Sequence, residues 1–437
     1  MTFDQIAALS VLLAVVAALI WGKSRSDIVA LCGAATLLLL GVVRPVEAQS
    51  AFASPALIAL ASLFVIAHAL EISGVLGALI RGAVRFCERL GTLGLWLILI
   101  LCGALSAFLN NTPIVVMAAP VVKDVSATLR VSPKRYLIPL SYMTILGGGC
   151  TLIGTSTNLL VNDMARNAGQ PAFTLFEIAP VGLAIAAAGA LFLLFFGARL
   201  LPSETSELEA GIHEGLRDSR RATDSVGDPL VFGDEHPTLD VRRGLAAVAI
   251  FLLVMFGATL GVAPIAALAF AGAVALILFG VITPDEAYRG LRPQILLLIA
   301  GMVVVGLALE LSGLASTVAR TLADLAKGGV PPILAMALLY GATLLLTEFL
   351  SNAAVAVLLT PIAVALGEAL GVDARPFVVT VMMAGSAAFA TPFGYQTNIL
   401  AYELGGYSYM DFVRIGLPLN LITALVGIIV IPLCFPF

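Results

Sequence analysis

The sequence predicts an all-α polytopic membrane protein made of two inverted repeats, each with five spans, one re-entrant hairpin and discontinuous helices. Three observations support this fold class. Of the 437 residues, 60% are hydrophobic and 11% charged, and the mean hydropathy is +1.06, a composition that places the chain in lipid. The apolar runs are about 17–22 residues long and do not alternate in polarity, which favours spanning helices over barrel strands. Finally, several motifs recur at a nearly constant spacing.

Two apolar stretches, 94–121 and 332–366, differ from the ordinary spans because polar residues interrupt them around Asn111 and Asn352. The pieces on either side have about 14 residues, too few to cross roughly 30 Å of hydrocarbon. Each stretch therefore predicts a re-entrant hairpin whose polar tip is buried in protein or lines a wet cavity. The ten ordinary spans are predicted at 6–22, 27–43, 56–73, 135–161, 175–200, 244–260, 264–281, 293–311, 375–403 and 412–436.

The two halves of the chain contain the same motifs in the same order. Glu71 of an Ala-Leu-Glu-Ile-Ser-Gly segment returns as Glu310, the tip residue Asn111 returns as Asn352, and Gly154 returns as Gly394, at spacings of 239, 241 and 240 residues. Because each half holds five spans, an odd number, the second half is inverted relative to the first. The predicted organisation is a first transmembrane repeat at 1–201, a polar linker at 202–241 and a second, inverted repeat at 242–437.

The distribution of positive charge predicts the orientation. When the spans alternate, most of the 23 Lys and Arg residues fall on one side, which the positive-inside rule makes cytoplasmic. The linker is then cytoplasmic, both termini lie outside, and the chain sits in the inner (plasma) membrane. The first apolar run lacks a basic region before it and is interpreted as a retained span. Only five basic residues fall on the outer side: Arg44, Arg166, Arg320, Lys327 and Arg375.

The linker 202–241 is the only long polar stretch, and it carries many acidic residues among scattered Arg, Gly and Pro. Its composition predicts a flexible connection, with a small regulatory or docking segment as the alternative. The stretches 77–92 and 314–328 are amphipathic and predict interfacial helices that lead from a span into each hairpin.

Polar residues at membrane depth point to the functional site. Glycine-rich interruptions at 147–158 and 385–398 fall inside two equivalent spans and predict discontinuous helices. Paired broken helices at matching positions of two inverted halves are a sequence pointer to a transport site. Unwound backbone supplies carbonyl oxygens that suit Na⁺, while the N-terminus of each second hairpin arm suits an anion. The alternative is that these small polar residues only allow close helix packing.

Other ionisable residues leave two interpretations open. His68 is either a packed hydrogen-bonding residue or a functional intramembrane group, and Glu71 and Glu310 are either structural or proton-coupling. Glu348, whose counterpart is Ala107, shapes either a cation site or the hairpin turn. No Asp falls in the middle of a predicted span, which argues against a cation/proton antiporter. The five scattered cysteines predict no metal or redox site, and no nucleophile–base pair or nucleotide motif predicts an enzyme.

The tips and loops resemble those of the divalent anion/sodium symporter family of the ion-transporter superfamily, and the resemblance covers nearly the whole chain. The hallmark of that family is Ser-Asn-Thr at each hairpin tip. The motifs of this chain look most like those of the sulfate-type branch. Members of that branch carry regulatory domains between the halves, and in this chain such domains are absent or reduced to 202–241. The motifs that carry the resemblance are Asn110-Asn111-Thr112-Pro113, Gly154-Thr155-Ser156-Thr157-Asn158, Ser351-Asn352-Ala353 and Gly394-Tyr395-Gln396-Thr397-Asn398.

The resemblance implies two Na⁺ sites and one substrate site between the tips. It also implies a homodimer that works by an elevator motion. Ala353 lacks the hydroxyl that carboxylate-transporting members use, which favours sulfate. The implied Na⁺ ligands are Asn111, Gly154 and Asn158 in one site and Asn352, Gly394 and Asn398 in the other. The implied substrate contacts are Asn110, Asn111, Thr112, Thr157, Ser351, Asn352 and Thr397.

The leading hypothesis is a secondary active transporter that couples Na⁺ to symport of a divalent anion, sulfate first and a di- or tricarboxylate such as succinate or citrate next. The alternatives are a cation/proton antiporter or arsenite-type permease of the same superfamily, and a non-transporting anion sensor. The expected partners are a small divalent anion, the lipid bilayer and a second copy of the chain, with no nucleic acid. Na⁺ is the only expected cofactor, and no organic cofactor is expected.

Overall fold

The computed structural model describes residues 2–21, 24–87, 90–201, 240–315, 317 and 331–437, and the regular elements in these ranges are helices. The last helix of the first half, Ala179–Phe192, continues through a π-helical turn, Leu193–Gly197, into a last short turn at Ala198–Leu200. The helices of the first half are α1 (Phe3–Trp21), α2 (Ser26–Leu39), α3 (Pro45–Phe52), α4 (Pro55–Ile72), α5 (Val75–Cys87), α6 (Thr92–Ser106), α7 (Asn111–Thr128), α8 (Lys134–Gly148), α9 (Ser156–Asn167) and α10 (Ala179–Phe192).

The second half repeats this order of helices. Helices α1–α4 recur as the first four described helices of the second half, and α6–α10 recur as the last five. The duplication expected from the motifs therefore appears as a duplication of helices. The described helices of the second half are α11 (Val241–Thr259), α12 (Ile265–Leu278), α13 (Pro284–Gly290), α14 (Pro293–Leu311), α15 (Pro332–Thr347), α16 (Asn352–Leu370), α17 (Arg375–Gly385), α18 (Gln396–Gly405) and α19 (Tyr409–Cys434).

The all-α membrane architecture is confirmed. In the described part of the chain, six helical stretches are long and apolar enough to cross a membrane, and the other apolar helices have 10–17 residues. Large apolar side chains such as Leu245, Leu253 and Phe256 are exposed on α11, as expected for a surface that faces lipid. The six stretches are Pro45–Ile72, Ala179–Gly197, Val241–Thr259, Pro293–Leu311, Asn352–Leu370 and Tyr409–Cys434.

The discontinuous helices are present where the glycine-rich interruptions predict them. The predicted span 135–161 is divided into α8 and α9 by residues 149–155, and the span 375–403 is divided into α17 and α18 by residues 386–395. We call these two connections loop 1 and loop 2. The short helices α3 and α13, which precede α4 and α14, were not predicted because eight or fewer residues give no clear apolar period.

The predicted length of the hairpin arms is wrong. The second arms, α7 and α16, have 18 and 19 residues, and α16 alone is long enough to cross a membrane. They are longer because each helix continues beyond the apolar stretch into polar residues, past Lys123 and Asp124 in α7 and past Glu368 in α16. The hairpin shape itself rests on tight connections: α6 packs against α7 and α15 packs against α16, each pair joined by four residues. We call each connection together with the first two residues of the helix that follows it, 107–112 and 348–353, tip 1 and tip 2.

Two other expectations fall largely on residues that the structure does not describe. The linker lies outside the described residues except for Asp240 and Val241, and the second amphipathic stretch does so except for 314, 315 and 317. The first amphipathic stretch, 77–92, corresponds to α5. The backbone N–H of Asp240 donates to the carbonyl of Ser73, so the end of the linker meets the end of α4.

Helices from the two halves pack against each other in equivalent pairs. Helix α2 packs on α14, and its counterpart α12 packs on α4, while α10 packs on its own counterpart α19. Around the broken helices, small residues bring the backbones into contact. A methyl group on Gly147 of α8 would lie 1.9 Å from the carbonyl oxygen of Gly103 of α6. The hairpin arm and the broken helix therefore touch backbone to backbone.

We expect Gly147→Ala to destabilise the protein by about 1–3 kcal/mol, because the added methyl must push α6 away from α8. The matched control is Gly341→Ala in α15, where an added methyl meets nothing within 4 Å and helix propensity improves. Thermal unfolding of both variants in detergent provides the measurement. Equal melting temperatures for the two variants would contradict the close contact.

Candidate functional site

Each hairpin tip ends in a capped helix N-terminus. The side-chain oxygen of Asn110 accepts from the backbone N–H of Thr112 at 3.3 Å, and the hydroxyl of Ser351 accepts from the N–H of Ala354 at 3.3 Å. Both residues are implied substrate contacts, and in the structure both cap the second arm of their hairpin. The positive ends of two helices thus point into the tips, which favours negative charge nearby.

A threonine hydroxyl joins each tip to the loop of its own half. The hydroxyl of Thr151 donates to the carbonyl of Ala107 in tip 1 and accepts from the N–H of Gly154 at 3.1 Å. Thr391 makes the equivalent bonds in the second half, to the carbonyl of Glu348 at 3.1 Å and from Gly394 at 3.2 Å. These threonines were not predicted as site residues, although they recur 240 residues apart.

The loop asparagines Asn158 and Asn398 fold the loops back on themselves. The Asn158 amide donates to the carbonyl of Thr151 at 3.0 Å, and that of Asn398 donates to the carbonyl of Thr391 at 3.2 Å. Their side-chain oxygens differ. Asn398 Oδ1 accepts from Ser141 at 2.7 Å, whereas Asn158 Oδ1 has no partner although the residue is 0% exposed. The first loop therefore holds a buried oxygen that is free to bind a ligand.

Neutral oxygens surround the glycines of the first site. A methyl group on Gly154 would lie 2.5 Å from the carbonyl oxygen of Gly148 and 2.8 Å from that of Ala107. A methyl group on Gly148 would lie 3.0 Å from Asn111 Oδ1 and 3.2 Å from the carbonyl oxygen of Gly154. The two glycines thus leave room for several carbonyl and amide oxygens to lie close together. This donor set, with Asn158 Oδ1, fits a hard monovalent cation.

In the second site the implied ligand oxygens have protein partners. Asn352 Oδ1 accepts from the hydroxyl of Thr347 at 2.9 Å, and that hydroxyl also lies 2.7 Å from the carbonyl of Gly385. A methyl group on Gly394 would lie 3.2 Å from Thr391 Oγ1 and 3.3 Å from the carbonyl oxygen of Thr347. The second site therefore has the same framework as the first but no equivalent free amide oxygen.

Tip 1 is also joined to loop 2 of the other half. The Asn111 amide donates to the hydroxyl of Tyr395 at 2.9 Å, and that hydroxyl lies 3.4 Å from Thr155 Oγ1. The hydroxyl of Thr112 donates to Gln396 Oε1 at 3.4 Å. The structure thus brings the first tip and both loops into one cluster. Sequence reasoning missed the roles of Tyr395 and Gln396 because these contacts join residues 284 positions apart.

A crevice opens beside tip 1, between α4, α11 and the two connections of the first half. Its polar lining comes from Asn110, Gly154 and Ser156, and no Lys or Arg of the described residues lines it. The loop threonines implied as substrate contacts, Thr157 and Thr397, are buried and do not line this crevice. Ser156 does, and sequence reasoning had not singled it out. The rest of the lining is mostly apolar, and its aromatic side chains are Phe64, Phe108 and Phe251.

The remaining ionisable candidates have separate environments. His68 Nδ1 lies 3.5 Å from a Glu71 carboxylate oxygen, and its ring packs against Gly290, so a structural role fits this histidine. No Asp was expected in the middle of a span, but Asp163 lies within α9, the second part of a broken helix, and is 3% exposed. The predicted span ended at 161, two residues short of it. Glu348 is buried in tip 2.

Comparison with known proteins identifies the class. The model of the citrate transporter family matches residues 16–384, so the chain belongs to this family. It is therefore a multi-pass membrane transporter of the citrate, sulfate and dicarboxylate permease group and not an enzyme.

Particular relatives agree with this class. An uncharacterized transporter of Synechocystis sp. is 26% identical and aligns with 91% of this chain and 92% of its own length. Sodium/sulfate cotransporter 1 of Chlamydomonas reinhardtii is 34% identical over 33% of this chain and 17% of its own length. The crystal structure of the Alcanivorax borkumensis YdaH transporter shares the fold, with a TM-score of 0.58 and 14% identity over 92% of this chain and 88% of that one.

We expect Tyr395→Phe to lower the apparent affinity for the transported anion several-fold, because the Asn111 amide and Thr155 lose their shared partner while the ring remains. The matched control is Tyr402→Phe in α18, which keeps its ring packing against Phe393 and should transport normally. Concentration dependence of uptake, measured at equal amounts of folded protein, tests the difference. Identical affinities in the wild type and Tyr395→Phe would argue against a role for this hydroxyl.

Proposed function

We propose that this transporter couples Na⁺ to the symport of a divalent anion, with sulfate favoured and a di- or tricarboxylate such as succinate or citrate next. The observation that carries the proposal is the cluster of neutral oxygens around Gly148 and Gly154, next to a capped helix N-terminus. The neutral oxygens suit a cation, and the adjacent helix N-terminus suits an anion. A bound Na⁺ would supply positive charge where the described residues lining the crevice offer no Lys or Arg.

Asn111, Gly154 and Asn158 are the proposed ligands of the first Na⁺ site. The free buried oxygen of Asn158 supports this assignment, because a buried acceptor without a donor is costly unless a ligand satisfies it. Asn352, Gly394 and Asn398 are the proposed ligands of the second site. The side-chain oxygens of Asn352 and Asn398 accept hydrogen bonds from hydroxyls, which can rotate to leave an acceptor available when a cation arrives.

The anion is proposed to lie between the tips. Asn110, Thr112 and Ser156 stand at or beside the crevice, and Ser351 caps the equivalent helix of tip 2. Amide and hydroxyl donors of this kind suit an oxyanion. Sulfate is favoured because Ala353 removes one hydroxyl and because one relative is named a sodium/sulfate cotransporter. The family name keeps citrate in consideration.

An elevator motion is the proposed mechanism. The broken helices of the two halves are tied into one unit: Lys134 at the start of α8 donates to the carbonyl of Gly406 at 3.2 Å, and Arg375 at the start of α17 donates to that of Pro171 at 3.2 Å. We also propose that the protein is a homodimer. The halves 1–201 and 242–437 are proposed to be inverted across the membrane, with the linker in the cytoplasm and both termini outside.

One observation favours proton coupling as a second candidate. Asp163 is buried on α9, its Oδ2 atom has no partner, and it faces a small cavity lined by Asn162, Pro55 and Pro264. A buried carboxyl group of this kind can carry a proton through a transport cycle. The coupling ion is therefore the first property to measure.

The primary test is uptake of radiolabelled sulfate into proteoliposomes, with an inward Na⁺ gradient, with an inward proton gradient, or with neither. Unlabelled succinate and citrate serve as competitors. We expect Na⁺ to stimulate sulfate uptake, and the competition ranks the three anions. Uptake driven by protons alone would replace Na⁺ coupling by the second candidate. Absence of sulfate flux under every condition would favour a carboxylate substrate or a sensor, and labelled succinate and citrate then separate these two outcomes.

In the same assay we expect Asn111→Ala and Asn352→Ala each to abolish Na⁺-dependent uptake, because each removes a proposed cation ligand at a tip. Asn167→Ala, at the exposed end of α9, is the matched control and should retain full activity. Size-exclusion profiles establish that all three variants are folded. Normal uptake by either tip variant would rule out the tip-site assignment.

A further inference from the structure

Tip 2 contains a carboxylate that has no counterpart in tip 1. Glu348 follows α15, three residues before Ser351, and occupies the position of Ala107 in the first half. Its side chain is 7% exposed. Among the described residues, no ion pair joins it to Lys, Arg or His. A buried acid without a cationic partner is costly, so some other group must balance it.

The hydrogen bonds of Glu348 occupy only one of its two carboxyl oxygens. Its Oε1 atom accepts from the backbone N–H of Ala390 in loop 2 at 2.8 Å and from the side-chain amide of Asn420 in α19 at 2.7 Å. The other oxygen, Oε2, is buried and has no partner.

Asn420 supplies a second free oxygen beside the first. It is 2% exposed, and because its amide nitrogen donates to Glu348, its Oδ1 atom is fixed as an acceptor. That Oδ1 atom also has no partner. Two hydrogen-bonded side chains thus each present a buried, unsatisfied oxygen, and together they carry one negative charge. A cation would satisfy both oxygens and balance the charge at the same time.

We propose that Glu348 and Asn420 form a third cation site, specific to the second half, that binds one Na⁺. Oxygen ligands suit a hard cation, and a single carboxylate with a neutral amide matches a single positive charge. No group of three or more His, Cys, Asp or Glu residues lies together in the described ranges, so the donor set does not match a divalent metal centre. The proposal rests on the Na⁺ coupling proposed above and adds one ion to it.

The location gives this site a role in closing tip 2. The backbone carbonyl of Glu348 accepts from Thr391 of loop 2, and its side chain reaches Asn420 of the last helix. In the same region, the Tyr142 hydroxyl of α8 donates to the carbonyl of Phe389 at 2.5 Å. A cation between Glu348 and Asn420 would therefore hold tip 2, loop 2 and α19 together. The first half has Ala107 at this point, which makes the equivalent backbone bond to Thr151 but has no side chain that could make the bond of Glu348 to Asn420.

The test compares Glu348→Gln with Glu368→Gln in the full-length purified protein. Glu368 is an exposed acid near the end of α16 and is the matched control. Thermal stability in detergent is titrated with NaCl against choline chloride, and the charge moved per anion is measured from reversal potentials in proteoliposomes. We expect Glu348→Gln to need about ten-fold more Na⁺ for half-maximal stabilisation and to move one fewer charge per anion. Glu368→Gln should match the wild type in both measurements.

Asn420→Ala provides an independent variant in case Glu348→Gln does not fold. It keeps the carboxylate and should weaken the Na⁺ response several-fold, with choline controls unchanged. If either variant loses stability equally in NaCl and in choline chloride, with an unchanged Na⁺ midpoint and charge count, the pair is only structural and the proposal fails. A wild type that shows no Na⁺ response would instead overturn the Na⁺ coupling itself, and the third site with it.

Discussion

The site depends on one constraint: a helix that breaks inside a membrane protein frees backbone N–H and C=O groups that lipid cannot satisfy. Here Thr151 and Thr391 satisfy part of each break by joining the loop to the neighbouring hairpin tip, and Asn158 and Asn398 close the loops from the other side. The carbonyl oxygens gathered by this bonding are the same atoms that a cation can use. One arrangement of hydrogen bonds therefore both satisfies the freed backbone groups and gathers oxygens for a ligand. It occurs once in each half of the chain.

The two copies of the framework have diverged in their free oxygens. In the first half Asn158 keeps an unpaired oxygen, whereas Ser141 satisfies the equivalent oxygen of Asn398 in the second. The second half instead holds Glu348, where the first has Ala107. Tip 1 is therefore neutral and tip 2 carries an acid, so the two tips present different environments to a cation although their backbones follow the same course. A duplicated fold can in this way acquire unequal binding sites without losing its packing.

Much of the fold was predictable because it follows from local composition. The length of α14 coincides with the predicted span 293–311, and both broken helices appear where glycines interrupt an apolar run. The second arms of the hairpins were predicted too short, because α7 and α16 continue into polar residues beyond the apolar stretches. Each also contains an internal proline, Pro120 or Pro361. A proline in a helix interior is tolerated when neighbouring helices satisfy the freed carbonyl, and that depends on tertiary packing rather than on the local sequence.

The sequence by itself determined the membrane class, the duplication and the residue types at the tips, because apolar period, motif spacing and side-chain chemistry are all local properties. Only the tertiary structure decided which of those side chains are available. Asn111 is held by Tyr395, Thr157 is buried while Ser156 lines the crevice, and Glu348 finds Asn420 in the last helix. Each of these outcomes depends on contacts between segments that are distant in the chain, or on the rotation of a helix by one residue, and neither is encoded in the spacing of the motifs.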